Sequence, residues 1–291
     1  MSPPRPCLVC GADAWTPHLG DLLRCTACDF VTADVSTPID PGALYSEEYF
    51  RGAEYLDYAA DEAFIKRTLR PRLDAVLARK RGGRLLEIGS AYGFFLDLAR
   101  AHFDVVGFEV SAAAAAHARQ QLGLDVRSDD FTAAAPASIG APVDATVMLD
   151  VIEHLEHPDR VIAHVASVSR PGALLLITTG DIGSWVARRR GRQWRLIHPP
   201  THLHYFSRPT LTRLLARHGF QVRDVRAVPV VRSVRQTLYS ILALRMGRTA
   251  LYQRLERLIP ATLGFPLNTY DIMQVIAERN TDPPAAASTL S

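Results

Sequence analysis

RLLEIGSAYGFFLDLARAHFDVVGFEV, residues Arg84 to Val110, decides the fold. Leu85–Ile88 is a short apolar run of strand length. Gly89, Ser90, Ala91, Tyr92 and Gly93 follow as a turn, and Phe94–Ala101 then carries apolar residues at helical spacing. A second run, Val105–Glu109, ends in an acid. Strand, glycine-marked turn, helix and strand make one βαβ unit suited to a nucleoside-like cofactor. Small residues at 89, 91 and 93 let the backbone approach a ligand closely. A dinucleotide fingerprint would need its third glycine at position 94, where helix and strand pack tightly. Phe94 stands there, which argues against NAD or FAD. Glu109, at the strand tip, offers a carboxylate to both ribose hydroxyls.

Downstream, strand and helix patterns alternate. Further strands are expected at Asp125–Ser128, Ala145–Leu149, Leu174–Thr178, Gln221–Val228 and Ile272–Ala277. Helices are expected at Ala112–Gln121, Arg160–Ser169 and Arg208–His218. The fold class is therefore α/β, a doubly wound, mostly parallel sheet with helices on both faces. Residues 231–266 break the alternation with LYSILALRMGRTALYQRLERLIP, a helical insertion with apolar and arginine faces. It reads as a packed hairpin, a substrate lid or a surface-lying helix in peripheral contact with a membrane. The expected division is a module at 1–37, a helical linker and lid at 38–82, and a cofactor core at 83–230. The insertion, a closing strand at 267–280 and a disordered tail at 281–291 complete it.

Upstream, all four cysteines fall in the first 28 residues as C-x2-C-x14-C-x2-C: Cys7, Cys10, Cys25 and Cys28. Two such knuckles place four thiolates for tetrahedral zinc. A full set of protein ligands leaves no open position, so the site reads as structural rather than catalytic. A redox CxxC would need a βαβ context, and none surrounds these cysteines. Tyr45, Tyr49, Tyr55 and Tyr58 precede the core, either as packing of the lid or as a cover for the cofactor.

The net charge of +3 on 291 residues gives no basic stripe, so no nucleic-acid partner is expected. No run of 18 apolar residues exists, so no membrane span is expected. MSPPRPCLVCG lacks the apolar stretch of a signal peptide, and a cytoplasmic location is expected. Oligomeric state is not legible.

Several ordered motifs together carry a family resemblance. LEIGSAYGFFLDLAR resembles motif I of class I S-adenosylmethionine (SAM)-dependent methyltransferases, an acid followed by G-x-G-x-G. DATVMLDVIEHLEHPDRVI and RPGALLLITT resemble later motifs of that family, and YDIMQVIAERN its closing strand. The resemblance implies a seven-stranded sheet with the last strand antiparallel. It implies that Glu87 orients the turn, that Gly89, Ser90, Ala91, Tyr92 and Gly93 pass under SAM, and that Glu109 with Val110 holds the ribose. Asp130 and Phe131 would meet the adenine, with Asp129 as the alternate acid. Asp150 and Val151 would face the methionine end, and Glu153-His154 the methyl group. Ala91 departs from the commoner glycine.

Methyl transfer from a sulfonium needs alignment, water exclusion and, for many acceptors, proton removal. His154 is the first candidate base, because its motif faces the methyl in the family. His202 and His204 follow, since strand-like alternation would put both on one face of an acceptor loop. His157 reads as a turn residue and His164 as part of a helix. Asp150-x-x-Glu153-His154 also resembles the E-x-x-E-H of metal-assisted O-methyltransferases, with Asp in place of the first Glu. Trp185, Trp194, Arg188–Arg190, Arg192 and Arg195 read either as a solvated face or as grips for an anionic, sugar-containing acceptor.

The reading favours a biosynthetic methyltransferase acting on a small-molecule acceptor, a sugar or natural product, with O-methylation preferred. Sugar C-methylation, methylation of RNA or protein, and a non-methylating SAM-binding enzyme stand as alternatives. A four-cysteine module also precedes deoxysugar C-methyltransferases, but this sequence stops soon after its closing strand, without their large C-terminal domain.

Overall fold

The computed structural model describes residues 6–34, 58–260 and 262–281. The expected linker at Thr37–Gly42, the tyrosines at 45, 49 and 55, and residues 282–291 of the tail lie outside them.

Near the N-terminus, β1 (Trp15–His18), β2 (Leu22–Cys25) and β3 (Val31–Ala33) form an antiparallel ribbon. A helix, Glu62–Leu77, leads into the core. The core strands are β4 (Arg84–Ile88), β5 (Asp104–Phe108), β6 (Val126–Arg127), β7 (Val143–Leu149) and β8 (Ser169–Gly180). Next come β9 (His204–Tyr205), β10 (Phe220–Ala227), β11 (Val230–Ser233), β12 (Gly264–Leu267) and β13 (Ile272–Arg279).

Seven strands make the main sheet in the order β10-β13-β8-β7-β4-β5-β6. All seven expected strands are present. The β4–β6 strands, β7 and β8 pair in parallel, while β13 runs antiparallel to both β8 and β10. Side-chain alternation splits the core in two. Leu86, Ile88, Leu175 and Ile177 face one cluster, and Leu85, Ala145, Val147, Leu174 and Leu176 face the other. Each parallel strand is thus apolar on both faces, as a sheet covered by helices on either side requires. Chain direction across the sheet reverses between β4 and β7, which opens a crevice at their C-terminal ends.

Two features depart from the sequence reading. The insertion is not purely helical: β11 and β12 pair as an antiparallel hairpin that frames the helices Val234–Leu238 and Thr249–Glu256. Its exposed surface mixes arginines, such as Arg245, Arg248, Arg254 and Arg257, with apolar residues. Among the described residues, eight of the ten exposed large hydrophobic side chains lie between Ile241 and Tyr270. No helix among the described residues is long and apolar enough to cross a membrane.

The second departure concerns the N-terminal module. It does not stand apart, because β9 from the far side of the core adds to β3 as the fourth strand of the ribbon sheet. Cys7, Val9, Cys25 and Phe30 belong to the same buried cluster as Phe206, Leu211 and Phe220.

Candidate active site

One cavity of about 1300 Å³ occupies the crevice. It exceeds the usual 300–1,000 Å³ of a single-ligand pocket, so it has room for two reactants.

The first wall comes from strand ends and the turns after them. Glu87, Gly89, Ser90 and Ala91 follow from β4, Glu109 and Val110 from β5, and Asp129, Asp130 and Phe131 from β6. Asp150 and Val151 follow from β7. Gly89 takes a φ of +72°, and a Cβ there would come within 2.4 Å of Val151 Cγ2, so the position demands glycine. Ala91 also lies in the left-handed region, at φ 45°. Its backbone N–H donates to Glu109 Oε2 at 2.7 Å, while Ser111 N–H donates to Glu109 Oε1 at 2.8 Å. The Glu109 carboxylate therefore ties the turn to the start of the next helix. Burial pushes its pKa up, against the two backbone donors.

Glu87 is fully buried, and burial followed by the nearby Glu109 charge pushes its carboxyl well above the usual range. Glu87 Oε2 and Ser90 Oγ have no hydrogen-bond partner among the described residues. Orphaned polar atoms on a cavity wall are what a polar cofactor would satisfy. At the tip of β7, Asp150 takes φ 56° and accepts from Thr178 Oγ1 at 2.9 Å.

Tyr92 and Gly93 do not line the cavity. Tyr92 stacks on His117 with ring centroids 4.2 Å apart, and Gly93 packs its turn against Leu124 and Ala118. Tyr58 does line it, stacked on Phe94 at 5.6 Å. The helix Glu62–Leu77 adds Phe64, Ile65 and Thr68 to the lining. Thr68 Oγ1 accepts from Val231 N at 2.7 Å, which ties that helix to β11. The β11 contribution to the cavity had no signal in the sequence, because its four residues alternate no more clearly than a loop.

The second wall is built of Glu153, His154, His198, Thr201 and His202. His154 Nδ1 lies 2.7 Å from Thr201 O, and His202 Nδ1 lies 2.8 Å from Leu196 O. A carbonyl only accepts, so each Nδ1 carries the proton and each neutral ring keeps its lone pair on Nε2. The two rings meet edge to face at 4.6 Å. Burial holds the His154 pKa below its ordinary value. Burial and then the neighbouring His154 and His198 push His202 down to about 3. Glu153 is the opposite case: burial and then the Asp150 charge raise it to about 8. Ligand atoms of Glu153, His154 and His202 lie within 4.8 Å of one another.

His204 is placed elsewhere. It is buried against the ribbon, with Nδ1 3.0 Å from Thr32 Oγ1 and Nε2 3.4 Å from Glu156 O. The expectation that 202 and 204 share a face fails because the strand begins only at 204, and His202 lies in the preceding loop. Of the arginine-tryptophan loop, Arg195 alone reaches the cavity. Trp194 is buried, and its Nε1 donates to Asp271 at 2.8 Å, with Arg195 paired to the same carboxylate at 2.8 Å. Arg188–Arg190 occupy a short helix away from the cavity lining.

At the N-terminus, Cys7 and Cys28 sulfurs lie 3.6 Å apart, as do Cys10 and Cys25, and all four fall within 4.8 Å. Zinc bound tetrahedrally at about 2.3 Å from each sulfur requires sulfurs about 3.8 Å apart. Burial pushes the Cys7 thiol up to about 11. The four cysteines are compatible with a structural zinc.

Residues 59–225, more than half of the chain, match the family described as Methyltransferase domain. The chain belongs to this methyltransferase family. A probable S-adenosylmethionine-dependent methyltransferase from Mycolicibacterium smegmatis is 32% identical over 155 residues, covering 52% of this chain and 58% of that protein. A ubiquinone biosynthesis O-methyltransferase from Caulobacter vibrioides is 32% identical over 126 residues, covering 40% and 50%. The chain spans about half the length of the curated relatives it matches. Magnesium protoporphyrin IX methyltransferase from Synechocystis PCC 6803, solved with bound SAM, aligns at a TM-score of 0.50 and 13% identity. That alignment covers 84% of this chain and all of the other, and it shows a shared fold. The matched span thus includes both walls of the cavity described above, while the ribbon precedes it.

Proposed function

We propose that this chain is a SAM-dependent methyltransferase acting on a small-molecule acceptor, with an oxygen as the preferred methyl-accepting atom. The observation that carries the reading is one cavity joining the Gly89–Ala91 turn to the Glu153–His154–His202 wall. SAM, when bound, supplies an electrophilic methyl on a sulfonium. Gly89 to Ala91 would pass beneath it, Glu109 would accept from the ribose hydroxyls, and Asp130 with Phe131 would receive the adenine. Asp150, Glu87 and Ser90 would meet the methionine end.

His154 is assigned the acceptor proton, through the lone pair on Nε2. His202, pushed down to about 3, is a poor base and is assigned an orienting or ligating role. Trp194 and Asp271 hold Arg195 at the cavity, where it can face an anionic or sugar-containing acceptor. Biosynthesis of a natural product and a cytoplasmic setting are the contexts this chemistry suits.

The test is calorimetry with S-adenosylhomocysteine (SAH), followed by mass spectrometry of acceptors incubated with SAM. Binding of SAH and gain of one methyl are expected. No binding by zinc-loaded protein would refute the cofactor assignment, and cofactor-dependent conversion without methyl gain would favour a non-methylating enzyme.

A second reading is metal-assisted transfer, favoured by the closeness of Glu153, His154 and His202. A divalent cation held there would replace the Glu153 proton and draw on both Nε2 lone pairs. Titration with Mn2+ decides it. Saturable binding lost in His202→Ala supports the cation site, and equal binding by both proteins refutes it.

A further inference from the structure

The ribbon and the histidine wall are one piece of structure. Among the described residues β9 pairs with β3 alone, and a two-residue strand has little independent stability. Leu203 O accepts from Ala33 N at 2.8 Å and from Thr32 Oγ1 at 3.0 Å. Thr32 Oγ1 also meets His204 Nδ1 at 3.0 Å. The Phe30 ring is fully buried, with centroids 5.6 Å from His204 and 5.3 Å from Phe206.

From there the chain of contacts reaches the cavity. Leu203 N and His204 N both donate to Glu153 O, at 2.9 and 3.1 Å. The Tyr205 hydroxyl donates to His202 O at 2.9 Å. At the other end lies the second cysteine knuckle. Asp29 N donates to Cys25 O at 2.9 Å and Cys25 N donates to Phe30 O at 2.8 Å, so the cysteine turn sets where β3 begins. Two residues, Phe30 and His204, link the knuckle to Glu153, although the ends are more than 120 positions apart in sequence.

We propose that metal loading of the four-cysteine ribbon orders the acceptor wall, with Thr32 as the positioning residue that carries this order to His202 and Glu153. The inference rests on reading the histidine wall as the acceptor side and the four cysteines as a zinc site. Without the cation, no metal–sulfur bonds hold the two cysteine turns together. Phe30 then loses its slot, β3 loses its edge and Leu203 O loses two donors. The cofactor wall is built on β4, β5 and β7 of the other sheet, so it keeps its shape.

The experiment is amide hydrogen exchange on the full chain, zinc-loaded and zinc-stripped, with SAH affinity measured in parallel. Stripping is expected to speed exchange at Leu203 and His204 by roughly tenfold or more, as local opening does, while β4 and β7 stay protected. SAH affinity should change by less than about twofold, because the cofactor wall opens separately. Thr32→Val should retain its zinc yet speed the same two amides about fivefold, the loss expected for one hydrogen-bonding hydroxyl. Thr32→Ser, which restores that hydroxyl, should return them to the wild-type rate. In protein labelled at histidine nitrogens, Thr32→Val should also shift the ring signals of His204 and His202.

Protection of Leu203 and His204 that survives stripping would overturn the proposal. So would exchange that rises throughout the core together with loss of SAH binding, which would make the ribbon a general staple. A Thr32→Val protein matching wild type in both readouts would remove Thr32 from the path. Failure of zinc-loaded wild type to bind SAH would instead sink the cofactor reading, and the exchange comparison would stand by itself.

Discussion

The two walls of the cavity are made in different ways. The wall assigned above to the cofactor is mostly local, and the other is the one assigned to the acceptor. Gly89 to Glu109 lie within one βαβ unit, and Glu109 closes on Ala91 only 18 residues away. The acceptor wall is assembled from parts remote in sequence: the ribbon, the turn after β7 and the loop before β9. Local construction allows the first wall to be read from spacing, whereas the second depends on a long-range strand pairing.

The largest effect should come from cutting that pairing at its root. Cys25→Ser is expected to cost about 3 kcal/mol or more, because a structural zinc site contributes folding energy outright. Because the core opens separately, that loss should appear in calorimetry as an earlier transition of the ribbon, with the main transition kept. An unchanged thermogram would mean that the ribbon stands without its metal.

Next comes the chemistry of the acceptor wall alone. His154→Ala should lower kcat by about 100-fold, the usual contribution of a general base, and leave SAH affinity unchanged. Loss of SAH binding in this variant would erase the distinction between the walls. On the other wall, Glu109→Ala should weaken SAH by about 1–3 kcal/mol through lost charge-assisted hydrogen bonds. Glu109 also braces Ala91 and Ser111, so part of that loss should appear as faster exchange at those two amides.

The acceptor wall also predicts a pH signature. Folded Glu153 keeps its proton up to about pH 8, while the unfolded chain releases it near 4.5. Its contribution to stability is therefore full at low pH and is lost as pH rises from 4.5 to 8. His202 and His204, lowered to about 3 and about 4, act in the opposite sense. Below pH 6.5 the unfolded chain binds protons that the folded chain refuses, so stability falls as pH drops. Urea titrations should show both limbs in wild type. Glu153→Gln should lose only the upper one.

The smallest effect belongs to the cofactor turn. Ala91→Gly relieves a left-handed alanine and should raise stability by less than about 1 kcal/mol, without loss of SAH affinity. A fall in stability would show that the Ala91 methyl group is used in packing.

Legibility follows the same division. The seven strands, the cysteine cluster and the positions of Glu87, Gly89, Glu109, Asp130 and Asp150 were readable, because periodicity and turn chemistry are properties of short stretches. His154 and His202 were readable as candidates through their motif and loop. The fate of His204 was not, since nothing in HLHYF announces that Thr32 and Phe30 will claim its ring. Tyr92 was misplaced for a related reason: its turn borders the cavity, but its side chain finds His117. The β11–β12 hairpin was hidden inside an insertion whose helices dominate its pattern.

The pairing of β3 with β9 also has a consequence for synthesis. Thr32 and Leu203 are 171 residues apart, and the ribbon leaves the ribosome before β9. At about 5–20 residues per second, the edge of β3 waits on the order of 10–30 s for its partner strand. During that interval a short strand with open backbone groups is exposed to any neighbouring chain. The ribbon thus emerges early yet is completed only when β9 follows, and expression yield should respond to zinc supply and translation speed.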